Sequence, residues 1–468
     1  MVNKNVRQRV ILEQIALDFA RDGQGQEAYL DAKISQIKEA IVAYEKLAGT
    51  HGFILGLSGG IDSFVCGALV ADAIEESLSK IHLLMLPNCV QKDIDDSIAC
   101  ARVLKEQFSC VEVETVSIEN GYLGVIKDLK QSKLYDKNNR YALGNVQARL
   151  RMVEQYALNA GLLVIGTDHA AENMVGYFTK FGDGASDFNP IDGLVKEDIY
   201  QIARRYQAPS CVLEKQPAAG LGISENDEAE LKVSYQQLSA FLKGNPLEEE
   251  QVDRIAHLFQ GSMHKRNLAA SPMNLWWKDV PKPVCHVVVD GVYGFIDGGL
   301  ACQNAQEALD NTIAYINAHP QNYVLYVKEQ HPEDHCSFQS AGGIWPAHAV
   351  QGTRESELYR PFYEEIKKTI QTPISRYNVF IKGDRKDVEE YSGFEARNPQ
   401  YGMLKDNLVE DVVVSGIATE YCIKNTVLDL LHNGHNVFLL AQGLGYVERE
   451  GHLKTLKELE EQGVHVIY

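Results

Sequence analysis

Short apolar runs alternate with longer helical patterns along this chain, and the alternation happens twice. Phe53–Leu57, Ile81–Leu86, Val111–Val116 and Leu162–Ile165 make the first series. Val287–Val289, Val324–Val327, Val379–Ile381, Val412–Val414 and Val437–Leu440 make the second. Strand and helix in regular succession mark a parallel sheet, because parallel neighbours need a long crossover to run the same way. Between the series the rhythm lapses. Gly222–Gln260 reads as helical and polar, and "SPMNLWWKDVPKPVCHVVVD" (271–290) packs its prolines into a short stretch. Two α/β domains are expected, 1–275 and 284–468 with a linker over 276–283, each a mostly parallel sheet flanked by helices. Length agrees, since 468 residues exceed what one core usually organises.

In the first series, "GLSGGIDSFVCG" (56–67) directly follows Phe53-Ile54-Leu55. Strand, tight glycine turn, then helix turns backbone N–H groups toward one point, which suits an anion. The Gly-Lys-Ser/Thr of the common nucleotide loop is absent. A short glycine match is as often a plain turn, so its company decides. "VIGTDHAAE" (164–172) supplies Asp168 and Glu172 after another strand. "GYFTKFGDGASDFNPIDGLVK" (176–196) is long enough to be a lid or binding segment rather than surface punctuation. Asp62 and Glu172 offer hard oxygens for Mg²⁺ carrying nucleotide phosphates.

With "QARLRM" (147–152), "NDEAELKVSY" (226–235) and "HKR" (264–266) in the same order and spacing, residues 1 to about 275 resemble an ammonia-dependent NAD synthetase of the ATP-pyrophosphatase type. The resemblance implies adenylation of deamido-NAD by ATP, then displacement of AMP by ammonia. It implies that Ser58, Gly60 and Ser63 hold the ATP pyrophosphate, and that Asp62 and Glu172 bind Mg²⁺. Thr167 and Lys196 would contact ATP, and Lys180, Asp187, His264 and Lys265 would face deamido-NAD. It also implies a homodimer or higher homo-oligomer through this half. One departure stands out: the family's Pro-Thr-Ala-Asp-Leu is "PAAGL" (217–221) here, so Ala218 lacks a hydroxyl and Gly220 a carboxylate. No glutaminase module is found, so the nitrogen donor is free ammonia or something the second half makes.

Four strands of the second series end in polar residues: Asp290, Glu329, Lys382 and the turn "SGIATEYC" (415–422). Strand C-termini of an open parallel sheet converge on one rim, where ligands bind. Cys422 opens a helical stretch near Lys382, which predicts a lowered thiol pKa and a nucleophile, with Asp290 to take and return its proton. A carboxylate beside a lysine is also a common ion pair, and a lone cysteine is usually an inert small hydrophobe. "EQHPEDHCSFQSAGGIWPAH" (329–348) adds Glu329, His331, His335 and His348, a donor set suited to Zn²⁺, Fe²⁺ or Mn²⁺.

"HPEDHCSF", "WPAH", "IKGDRKDVEEYSGF" (381–394) and "GIATEYC" make residues 284–468 resemble a nicotinamidase of the cysteine-hydrolase superfamily. That resemblance implies an Asp290–Lys382–Cys422 triad and a cis Ile417–Ala418 peptide. The N–H groups of Ala418 and Cys422 would face the oxyanion. Phe295 and Trp345 would sandwich the pyridine ring, with a metal on its nitrogen. Here Glu329 replaces the family's aspartate, and "GVYG" follows Asp290 in place of Gln-Asn-Asp.

Together these imply a bifunctional enzyme of NAD salvage. Its substrates would be deamido-NAD, ATP, ammonia and nicotinamide. Two other readings stay open: a non-catalytic nicotinamide-binding C-terminal regulator, and an RNA-modifying N-terminal half. A net charge of −19 argues against nucleic acid as a partner. No membrane-length apolar run and no signal-like N-terminus is seen, and nine scattered cysteines fit a reduced, cytoplasmic protein.

Overall fold

Every apolar run of both series becomes a strand. The computed structural model describes residues 3–15, 17, 23–88, 94–215, 227–278 and 282–468. Residues 217–221, with Ala218 and Gly220, and part of the expected linker, lie outside these. By contacts the chain forms two units: Met1–Asp22, Lys243–Val252 and Asp279–Tyr468 in one, Gly23–Leu242 and Asp253–Lys278 in the other. The helix Lys4–Leu12 groups with the second sheet, in the unit that holds Asp279–Tyr468.

In the N-terminal unit, β1 (Gly52–Gly56), β2 (Lys80–Met85), β3 (Val111–Thr115) and β4 (Leu163–Val164) form a parallel sheet in the order β3-β2-β1-β4. Phe53, Ile54 and Leu55 are buried, as a central parallel strand requires. The helix Ile61–Ile74 starts at once after the glycine turn and packs on β1, β2 and the helices Gln26–Ala48 and Lys196–Arg205. Its Phe64, Val65, Ala68 and Leu69 are all buried, so hydrophobic burial holds the helix and aims its N-terminus at the end of β1. The polar 222–260 stretch contributes the helices Asp227–Leu231 and Tyr235–Leu242 to this unit.

The C-terminal unit holds β5 (Val284–Val289), β6 (Tyr323–Glu329), β7 (Val379–Lys382), β8 (Arg397–Asn398), β9 (Gly402–Met403), β10 (Asp411–Gly416), β11 (Asn436–Leu444) and β12 (His465–Ile467). They form one sheet, β12-β11-β10-β5-β6-β7-β8-β9, parallel except for the pairings of β8 and β9. The order brings β10, β5, β6 and β7 side by side, so the four strands that end in polar residues are consecutive neighbours. Among the described residues no helix is long and apolar enough to cross a membrane, and the cysteines are free thiols.

Candidate active sites

The glycine turn opens into a cavity of about 260 Å³ within the N-terminal unit, lined by Ser58, Gly60, Asp62, Ser63, Thr167, Asp168, Glu172 and Lys196 among others. The turn is braced from within: Ser63 Oγ donates to Gly60 O at 3.0 Å and lies 3.0 Å from Ser58 Oγ. Lys196 reaches across to Asp62, with Nζ at 2.9 Å and 2.8 Å from its two oxygens. His169 caps the helix Ala170–Val175, and Glu172 accepts from the His169 N–H at 3.3 Å. That capping box fixes Glu172 facing the cavity.

Among the described residues, five carboxylates line this space (Asp62, Asp168, Glu172, Asp183, Asp227) against three cations, Arg151, Lys196 and Lys215. Lys215 is itself paired with Asp96 at 2.9 Å. Burial and the neighbouring Asp62 push Glu172 up to about 8, and burial with Glu172 pushes Asp168 well above the carboxylate range. Burial alone would also raise Asp62, but Lys196 holds it below its ordinary value. Burial and Lys196 push His169 down to about 3, so its imidazole is neutral. A surplus of buried acid is the condition a divalent cation relieves, so Asp62 and Glu172 fit Mg²⁺.

The four residues assigned to deamido-NAD do not line the cavity. Lys180 donates to the carbonyls of His264 and, at 2.8 Å, Asn267; Lys265 donates to those of Gly176 and Phe178 at 2.8 Å each. His264 Nδ1 lies 3.2 Å from Gly261 O. These three gather about the 176–180 turn. Asp187 stands apart beside β4, accepting from the Val164 N–H at 2.8 Å and the Tyr156 hydroxyl at 3.3 Å. Sequence reasoning missed Tyr235, whose hydroxyl lies 3.2 Å from Asp227 Oδ2 and 3.4 Å from Glu172 Oε1 and can donate to either. Its motif was quoted, but helical spacing does not show which face looks inward.

At the rim of the second sheet, Asp290 follows β5 at a left-handed φ of 52°, Glu329 ends β6, Lys382 ends β7, and Cys422 lies in the π-helical turn after β10. Lys382 Nζ lies 2.9 Å from Asp290 Oδ2, 2.6 Å from Glu329 Oε1 and 3.5 Å from Cys422 Sγ. An ammonium with no exposure survives burial only among such partners. Burial pushes Asp290 up to about 6, with Lys382 limiting the rise, and neither Asp290 oxygen is satisfied by a well-aligned hydrogen bond. The Ile417–Ala418 peptide is cis, and the Ala418 N–H takes no partner among the described residues.

One sequence expectation is corrected. The thiol of Cys422 is not acidic: burial pushes it well above the ordinary value against the opposing charge of Lys382, and Asp290 and Glu329 add to the rise. The α-helix begins only at Lys424, so Cys422 is not in its first turn. The residue holds its proton until something takes it.

Beside the trio, His331 Nε2 and His348 Nε2 each lie 3.4 Å from the Glu329 carboxylate. Their Nδ1 atoms face carbonyls, Gly383 O at 2.8 Å and Pro346 O at 2.7 Å, and therefore carry the hydrogens. Both Nε2 atoms then face one carboxylate, and the three residues fit a divalent transition metal. His335 does not join them. Its Nδ1 lies 2.7 Å from Ser337 Oγ and its Nε2 3.1 Å from Val388 O. Phe295 lies against His348, ring centres 5.5 Å apart, while Trp345 is edge-on to Tyr421 at 5.1 Å and donates to the Tyr391 hydroxyl at 3.1 Å. Tyr391 and Tyr421 were not anticipated, although both sit inside quoted motifs.

The comparisons with known proteins follow the same division. The NAD synthase family model matches residues 33–269, and the isochorismatase domain model matches residues 284–468. The NH(3)-dependent NAD(+) synthetase of Bacillus thuringiensis subsp. konkukian is 37% identical over 259 residues, covering 53% of this chain and 93% of that protein. The enzyme of the same description from Pseudomonas aeruginosa is 36% identical over 279 residues, covering 56% of this chain and all of that one. A zinc complex of the pyrazinamidase of Pyrococcus horikoshii is 29% identical, covers 39% of this chain and 98% of that one, and has a TM-score of 0.34. At that score the likeness adds nothing to the domain match. The chain belongs to the NAD synthase family through residues 33–269 and carries an isochorismatase domain fused behind it.

Proposed function

We propose that the N-terminal unit amidates deamido-NAD with ATP and ammonia, and that the C-terminal unit hydrolyses nicotinamide to nicotinate and ammonia. The observation that carries the second assignment is the buried Asp290–Lys382–Cys422 trio at one strand rim. A protonated thiol beside a carboxylate whose oxygens lack well-aligned hydrogen bonds has one clear chemistry. As Sγ attacks the amide carbon, its proton passes to Asp290, which returns it to the departing ammonia. Water then cleaves the thioester and restores the thiol. The free Ala418 N–H supports its role, with the Cys422 N–H, in holding the oxyanion. Phe295 and Trp345 would pack on the pyridine ring, and Glu329, His331 and His348 would hold a divalent transition metal. When bound, that metal supplies a Lewis acid for the ring nitrogen.

In the N-terminal unit, Ser58, Gly60 and Ser63 would take the pyrophosphate of ATP at the helix N-terminus, with Thr167 and Lys196 on the nucleotide. Mg²⁺ at Asp62 and Glu172 would neutralise the phosphates. Lys180, Asp187, His264 and Lys265 remain proposed for deamido-NAD, each needing to exchange a protein partner for the substrate. A homo-oligomer and a cytoplasmic location belong to the same proposal. The intact trio disfavours a purely regulatory C-terminal unit.

The test uses Cys422→Ala. Nicotinamide hydrolysis should fall by at least about 10³-fold, as for other covalent nucleophiles, while AMP and pyrophosphate still form from ATP when ammonium and deamido-NAD are supplied. A nicotinoyl thioester trapped on Cys422 in the unmutated chain would support the reading; undiminished hydrolysis, or ADP and phosphate as products, would overturn it.

A further inference from the structure

The ammonium of Lys382 stands inside a set of donors that would otherwise make a metal site. Asp290, Glu329 and Cys422 each present a ligand atom, all within 4.8 Å of one another and all buried. Two carboxylates and a thiol at that spacing suit a divalent metal such as Zn²⁺ or Co²⁺. Lys382 Nζ lies 2.9, 2.6 and 3.5 Å from the three. Glu329 is common to this set and to the one it forms with His331 and His348, so the two candidate metal positions share a carboxylate. A metal that entered at the histidines would be one ligand away from the nucleophile. Once on Cys422 it would displace the thiol proton and occupy the sulfur lone pair needed for attack.

We propose that Lys382 is a built-in cation that bars metal from the Asp290–Glu329–Cys422 set and confines it to Glu329, His331 and His348. Charge repulsion acts strongly here, because no solvent reaches Lys382 to screen it. The residue also has nowhere to go. It closes β7, and its remaining partner is the Glu390 carbonyl at 3.2 Å. In this role Lys382 is a positioning residue: it decides where metal binds, in addition to any part in turnover. The inference rests on the reading of Cys422 as the nucleophile, but not on which amide is cleaved.

The test reads metal, not activity. His335, Cys336 and Glu389 form another three-donor set, so the full chain carries Cys336→Ser throughout. It is loaded with Co²⁺ and desalted, then assayed for cobalt and for the near-ultraviolet charge-transfer band of a cobalt–thiolate bond. Replacing Lys382 by Met should add about one equivalent of cobalt per chain and bring up the band. Adding Cys422→Ser should remove both. Lys382→Gln, nearer in polarity to the original, should behave as the Met variant does and covers the case in which Met disturbs folding. A Cys422-dependent band already present with Lys382 in place would overturn the proposal. So would folded Lys382 variants, judged by circular dichroism, that take up no further cobalt.

Discussion

Gly383 shows how one missing side chain holds the second site together. It follows Lys382 at a φ of 69°, and a Cβ there would lie 2.6 Å from His331 Cε1. Its carbonyl meanwhile fixes the His331 tautomer. Gly383→Ala should therefore push His331 out of register and weaken metal binding about 10- to 100-fold, the usual scale for losing an outer partner of a ligating histidine. Competition with a chromophoric chelator measures it, and unchanged affinity would mean that the histidines hold no metal. At this scale the sequence was informative where chemistry follows from strand order. Asp290, Glu329, Lys382 and Cys422 could be named because each closes a strand or the turn after one. It misled where burial decides: a lysine nearby implied an acidic thiol, but desolvation acts on Cys422 more strongly than that charge.

Among elements, the helix Lys4–Leu12 left little trace in the sequence pattern, for a physical reason. Its buried residues include Gln8 and Arg9 as well as Val6, Ile11 and Leu12, so no clean apolar stripe marks it. Arg9 packs on the rings of both Tyr377 and Tyr401, 4.4 and 4.3 Å from their centres, and donates to Tyr377 O at 2.6 Å. The short strands β8 and β9 escaped notice because two residues each cannot show alternation. Just past the helix, burial pushes Glu13 up to about 7, and Lys368 at 2.7 Å offsets only part of that cost. The folded pKa lies above the unfolded value near 4.5, so the folded chain binds more protons between the two. Stability should fall as pH rises through this window, by roughly 3 kcal/mol, and stay level above it. Glu13→Gln should remove the fall: the variant gains on the unmutated chain at pH 8 but not at pH 4.5 in denaturant melts. A constant difference across that range would contradict the assignment.

For the whole molecule, two successive strand–helix series and several ordered motifs make the fusion legible in the sequence. The side chains that would greet deamido-NAD were not, because Lys180, His264 and Lys265 are engaged with backbone carbonyls or turns that no motif reveals. The two proposed reactions share one small molecule, ammonia, released by the amidase and consumed by the synthetase. That link offers the most direct test of the central claim, that one chain performs both. The purified protein is given nicotinamide, deamido-NAD, ATP and Mg²⁺ in ammonium-free buffer, and NAD is measured over time. The account predicts NAD formation by the unmutated chain, none by Cys422→Ala, and recovery of the variant when ammonium is added. NAD made by Cys422→Ala without ammonium, or no NAD from the unmutated chain even with it, would contradict the account.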